Sequence, residues 1–466
     1  MPSQRQQPHP LAELLHLAAP TVAQMASYTL MQFIDTWILA HAGGGVAAPT
    51  AASNAGILSF AVISFGMGVL FVVNTLVSQS FGRKDYPACG QFLWQGIWFS
   101  VVFWLLLLPL LFVLPNVFHW VKHEPALAHL EGIYLQIVLG ASILKLVTTV
   151  LEQFFLGVNR PGAVAIATFG GVAINAAAAW ILIMGRLGLH PMGVTGSAIA
   201  QNIGVGVEGL IVLLFLSSAT LRKTYGLGSW RLNPAQMWTL IKVGVPSGVQ
   251  IVADILAWSV FMMWVMGVFH TEAMAANVFV FRYMSVSFMP AYGISVAVTA
   301  LVGRYIGMGR PDIAAARANL GFAVAGLYML ACGALFFLFR RTLMMLFTDD
   351  PAVLIIGQRL LIFAAVYQLF DAMYIIYNGA LRGAGDTLMP AIATAVLCWG
   401  MTIFGGYAIA RTWPQLGPTG PWLAATAYGI TLGAFIWLRF ARGKWKSIDL
   451  RNGSPSATDS AKLSTA

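Results

Sequence analysis

Three aspartates lie inside apolar stretches that otherwise carry almost no charge: Asp35 in SYTLMQFIDTWILA, Asp254 in GVQIVADILAWSVFMMWV and Asp371 in LLIFAAVYQLFDAMYIIY. An ionised carboxylate at membrane depth is costly, so a chain that keeps several there is expected to use them to hold a cation or a proton. Tyr367 stands four residues before Asp371, hence on the same helical face, where its ring can meet a monovalent cation and its hydroxyl can donate to the carboxylate. A proton, a sodium ion and a cationic solute are alternative ways of discharging such a site, which suits it to exchange.

The elements that must position these groups are membrane helices. With 59% hydrophobic and only 9% charged residues, the chain is far more apolar than a soluble domain. Its formal charge of +10 does not point to nucleic acid, because the basic residues recur in short connections between apolar runs instead of forming a stripe with interleaved aromatics. Cys89, Cys332 and Cys398 give neither an even disulfide framework nor a CxxC pair, so no structural zinc site is expected. HExxH, GxSxG and P-loop signatures are missing, and no enzymatic activity or cofactor is expected. Gly204, Gly206 and Gly209 satisfy GxGxxG, yet no strand precedes them, and close helix packing explains them better.

A window of about 20 apolar residues per span predicts twelve segments: 14–40, 51–78, 92–117, 129–157, 163–184, 193–217, 239–268, 274–301, 317–339, 353–381, 389–410 and 421–440. With the N-terminus inside, most Lys and Arg fall on the cytoplasmic side, so the expectation is a multi-pass protein of the cell inner membrane with both termini cytoplasmic. The expected organisation is an N-terminal six-helix lobe over 1–217, a cytoplasmic linker over 218–238, a C-terminal six-helix lobe over 239–440 and a disordered tail over 441–466. Asp254 then lies about 21 Å from either end of its span, and Asp371 about 15 Å from the cytoplasmic end of its own. Two carboxylates at comparable depth can share one ion.

The chain repeats itself at a shift of about 225 residues. AAPTVAQ lines up with VGVPSGVQ, matching Pro20 with Pro246 and Gln24 with Gln250, and GMGVLFVVNTLVSQSFGRKD lines up with YGISVAVTALVGRYIGMGRPD, matching Gly68 with Gly293. Six spans per repeat is an even number, so the two bundles share one orientation and are expected to be related by a pseudo-two-fold axis along the membrane normal, around a central cavity.

PTVAQ followed by FIDTW, the SQSFGRKD turn, LVGRYIGMGRPD, VYQLFDA and LRGAGDT together resemble the multidrug and toxic compound extrusion (MATE) family, in its bacterial cation-coupled branch. The resemblance runs from about residue 11 to 440. It implies an all-α fold of two six-helix lobes that exports amphipathic organic cations in exchange for sodium ions or protons by alternating access, with one chain sufficing. It also implies that Asp35 and Asp371 match the coupling carboxylates of the first and tenth helices. Asp254 falls where this branch usually carries Glu, and Asn175 is the implied polar partner of Asp35. A second carboxylate found in some branches one turn after Asn175 is replaced by Ala179. A flippase for lipid-linked saccharides in the same superfamily is the alternative, but a pyrophosphate headgroup calls for a basic cavity and the deep charges here are mainly acidic.

Other groups have blander readings beside functional ones. Arg282 can neutralise an aspartate in a structural ion pair, and Lys145 can pair with Glu152 or Glu208. Glu131 and Glu152 are expected to reach water near span ends. Asp349 and Asp350, in an outward loop, can attract cations or cap a helix. Trp258, Phe279, Met284, Phe288 and Tyr292 are packing residues taken singly, while as a group they suit a promiscuous apolar pocket.

Overall fold

The computed structural model describes residues 9–41 and 47–450; the tail beyond 450 lies outside the described residues. Their fold is all-helical. Long helices run over Pro10–His41 (α1), Ala47–Gly82 (α2), Tyr86–Trp120 (α3), Pro125–Gly157 with a 44° bend between Gly140 and Ser142 (α4), Pro161–Met184 (α5), Gly193–Leu216 (α6), Pro234–Val268 (α7), Thr271–Gly307 (α8), Pro311–Leu338 (α9), Pro351–Ala384 (α10), Leu388–Thr412 (α11) and Thr419–Ala441 (α12). Ten are long and apolar enough to cross a membrane, and the bent α4 makes eleven. The 32-residue α1 completes the twelve-helix membrane fold.

Local signals set the helix ends. Asp85 accepts from the Ala88 amide ahead of α3, Asp350 accepts from the Ala352 amide ahead of α10, and proline occupies the first turn of both, where a missing amide hydrogen costs nothing. Several helices overrun their apolar windows: α8 continues to Gly307, six residues beyond the expected end at 301. Hydropathy sees only the part that lies in hydrocarbon, whereas the helix continues into polar surroundings.

The helices pack as two compact units. One, the C-terminal unit, holds Val249–Ser447 and the described residues up to Met25; the other, the N-terminal unit, holds Ala26–Gly248 and the last described residues from Ile448. The division falls inside α1 and inside α7, so each repeat's first helix gives its opening turns to the unit built mainly from the other repeat. In the C-terminal unit Thr21 donates to the Gly293 carbonyl at 2.8 Å, and Glu13 lies between Arg304 and Arg317, accepting also from the Tyr305 hydroxyl. In the N-terminal unit Gly244 and Gly248 press on Val69 and Phe65 of α2.

The connection ahead of α7 is tied to α3. Trp94 and Trp98 donate to the Leu227 and Trp230 carbonyls, and Gln95 exchanges hydrogen bonds with Arg231 and Asn233. Past 441 the chain makes a short helical turn over Lys444–Ser447, with Trp445 buried and bonded to the Phe440 carbonyl. At that point the aromatic packing outweighs the polar composition that reads as disorder.

Candidate functional site

In the C-terminal unit α7, α10, α11 and α12 bring Asp254 and Asp371 together. The two carboxyls are close enough for each to act on the other electrostatically, and Tyr367 and Tyr374 both face the pair. Asp371 is 8% exposed and Tyr367 7%. Tyr428 of α12 donates to Asp254 Oδ1 at 3.4 Å, and the Cys398 thiol lies 4.0 Å from the same oxygen. One turn before Asp254, buried Gln250 reaches Thr394 at 2.9 Å and both Tyr374 and Asn378 at 3.3 Å. Trp258 closes the site edge-on against Tyr367 and Tyr428, with ring centroids 6.2 and 6.3 Å apart.

Backbone irregularities help to place these groups. α7 loosens into a π-helical turn over Phe261–Val265, and α11 does so over Cys398–Gly405, whose first residue is the thiol beside Asp254. Such wider turns re-aim side chains and recur at functional sites. The Tyr367 ring fills the space left by the missing side chain of Gly429.

Among the described residues, no basic side chain forms an ion pair with Asp254 or Asp371. Arg282 is exposed. The constellation therefore offers two carboxylates, three phenols and an amide oxygen without an internal counter-charge. Such oxygen-rich donors suit a proton or a small hard cation, and the aromatic faces suit an organic one.

The N-terminal unit holds a second arrangement. Asp35 of α1 faces Asn175 of α5, and Asp35 Oδ1 and both amide atoms of Asn175 are buried. Gly204 of α6 makes room for Asn175, since a Cβ there would sit 2.6 Å from the asparagine Cβ. Two glycines of the GxGxxG match thus serve close helix packing, Gly204 here and Gly209 against Thr148. Ala179 is fully buried and supplies no ligand.

Of the aromatic and acidic residues expected around a substrate pocket, Trp258 joins the site directly. Phe288 stacks on Tyr292 at 5.7 Å, and Phe279 stacks on Phe347 at 4.7 Å. Met284 is part-buried on α8, Asp349 is exposed, and Asp350 is occupied as the cap of α10. Two expectations are corrected. Glu131 does not reach water: it is fully buried, held by Asn54 at 2.7 Å and His123 at 2.8 Å. Glu152 is 5% exposed and packs toward Glu208. Sequence reasoning overlooked Tyr374, Tyr428, Asn378 and Thr394. Gln250 alone had a visible signal, as the repeat partner of Gln24 one turn ahead of an aspartate.

Comparison with known proteins agrees with this architecture. The family model MatE matches the chain twice, over 20–181 and 247–408. Multidrug resistance protein PmpM of Pseudomonas aeruginosa is 30% identical over 450 residues, covering 93% of this chain and 91% of that protein. A probable multidrug resistance protein NorM of Mesorhizobium japonicum is 28% identical over 444 residues, covering 92% and 93%. A crystal structure of a MATE protein in the bent conformation matches with a TM-score of 0.84 at 18% identity, covering 96% of this chain and 97% of that one. An outward-facing multidrug resistance MATE transporter of the MOP superfamily matches with a TM-score of 0.82 at 17% identity, covering 94% and 97%. The double match reproduces the internal repeat read from the sequence, and with it the chain belongs to the multidrug and toxic compound extrusion (MATE) family of multi-span membrane transporters rather than to any class of enzyme.

Proposed function

We propose that this protein is an inner-membrane antiporter that exports amphipathic organic cations in exchange for sodium ions or protons. The observation that carries the reading is the pairing of Asp254 with Asp371 among Tyr367, Tyr374 and Tyr428, with no ion pair to either carboxylate among the described residues. A buried carboxylate pair without a protein counter-charge is stable only when a proton or cation discharges it. Occupancy by the coupling ion and occupancy by a cationic solute are then mutually exclusive, and a ligand shifts the conformational equilibrium by its differential affinity for the two states. Asp35 and Asn175 supply further buried polar groups in the N-terminal unit. The names of the relatives as multidrug resistance proteins support an organic solute as cargo. Both termini are assigned to the cytoplasm from the distribution of basic residues.

The test is reconstitution into liposomes with a sodium gradient or a proton gradient imposed separately, followed by uptake of an organic cation such as ethidium. Uptake driven by at least one gradient is the expected result. Uptake that ignores both sinks the antiport reading.

A further inference from the structure

The N-terminal unit contains a second buried acidic centre that the Asp254–Asp371 site does not use. Lys145 and Glu152 are on α4, Thr168 on α5, Glu208 on α6 and Tyr28 on α1. Glu152 is 5% exposed, Glu208 2% and Thr168 0%. The Tyr28 hydroxyl lies 2.8 Å from Glu208 Oε1 and 3.3 Å from Glu152 Oε1. Thr168 donates to Glu208 Oε1 at 2.6 Å. Lys145 Nζ donates to the Tyr28 oxygen at 3.3 Å and sits 4.6 Å from the centre of its ring. The two carboxyls are also within hydrogen-bonding reach of each other.

Counting hydrogens decides the protonation of this cluster. A phenol has one hydrogen to donate, and the shorter contact directs it to Glu208. Thr168 gives the same carboxylate oxygen a second hydrogen. Glu152 approaching that phenol oxygen as an anion would set lone pair against lone pair; as an acid it donates instead. Contact between two carboxyls likewise needs a hydrogen on one of them. The charges agree: two carboxylates and one ammonium leave an excess negative charge, which a single proton cancels, and a neutral cluster is what a membrane interior tolerates. Lys145 already brings one positive charge to the cluster and opposes a second cation.

A destination for that proton lies along the same helices. Seven residues after Tyr28 on α1 is Asp35, and seven after Thr168 on α5 is Asn175. Seven residues is two turns, a rise of about 10 Å. There Asp35 and Asn175 face each other with Asp35 Oδ1 and both Asn175 amide atoms buried, a second polar layer able to take up a proton.

We infer that the Glu152–Glu208 pair is a proton-binding site of its own, holding one exchangeable proton between Lys145, Tyr28 and Thr168 and feeding the Asp35–Asn175 layer. Its part in transport rests on the antiport reading above, whereas the presence of the proton does not. The test is infrared difference spectroscopy of the purified full-length protein in the background Asp35→Asn, Asp254→Asn, Asp371→Asn, which silences the other carboxyls in question. The expected result is a carboxylic-acid carbonyl band at neutral pH that shifts in heavy water and is lost as pH rises. Glu152→Gln with Glu208→Gln should abolish it, and Lys145→Met should roughly double it, because losing the ammonium calls for one more proton to reach neutrality. If the double Gln variant fails to fold, Glu208→Gln alone is read instead. Gel-filtration behaviour and tryptophan fluorescence report folding in each case. A band left unchanged by the Gln substitutions, or one that does not respond to pH, overturns the proposal. Wild-type protein showing the band without gradient-driven transport would overturn the antiport reading and still support the proton site.

Discussion

Gly68 lies directly against Gly248: a Cβ on Gly68 would sit 2.6 Å from the Gly248 Cα. The second repeat makes the matching contact, where a Cβ on Gly293 would sit 2.8 Å from the Val22 Cα. In both units the opening part of a repeat's first helix lies on the glycine of the other repeat's second helix, backbone against backbone. Small residues permit this approach, which drives association where lipid removes the hydrophobic incentive.

Gly68→Val and Gly293→Val are each expected to destabilise the protein by about 1–3 kcal/mol through overpacking against a backbone that cannot retreat. Thermal melting in detergent measures this. Gly56→Ala, at a helical glycine with open space around it, is expected to leave the melting temperature unchanged or raise it.

Asp371→Asn and Asp254→Asn should each leave the protein folded and inserted while cutting ion-driven efflux by at least about tenfold, the usual scale for losing a charge from a binding site. Dye efflux from everted vesicles checks the outcome. Normal efflux by both variants would remove the pair from the mechanism.

Gly429→Val separates positioning from charge. The new side chain would occupy the volume of the Tyr367 ring and push the phenol away from Asp371 while leaving both aspartates in place. Transport should fall toward the Tyr367→Ala level, and Tyr367→Phe, which keeps the ring face, should retain more activity. Equal activity in Gly429→Val and wild type would mean that Tyr367 has no positional role.

Glu13 is paired with both Arg304 and Arg317, and the Glu13 and Arg317 side chains are 5% and 7% exposed. Removing the shared carboxylate strands the buried Arg317 and the part-buried Arg304, so Glu13→Gln should cost about 3–5 kcal/mol. Arg304→Met should cost less, because Arg317 still answers the charge. The order of melting temperatures in detergent tests the ranking.

Much of this was legible in the chain, though not evenly. Apolar runs gave the helices, the repeated PTVAQ and VPSGVQ segments announced the duplication, and Asp371 with Tyr367 four residues earlier pointed to the candidate site that the fold assembles around Asp254. The swapped helix ends were not legible, because helical periodicity shows which face is apolar but not which bundle will cover it. Glu131 looked interfacial because its partner Asn54 is 77 residues away, and only the fold brings an amide to it. Tyr374 and Tyr428 are ordinary aromatics in a sequence rich in them; what distinguishes them is that the fold brings both beside Asp254, which leaves no mark in composition.

The exchange of opening turns between α1 and α7 also bears on ancestry. A polypeptide consisting of one repeat alone would expose the glycine seat on its second helix and carry an opening segment with nothing of its own to rest on. Two copies would complete each other by trading those segments, as domain-swapped subunits do. A half-length chain of this kind would therefore need a second copy to complete both glycine contacts.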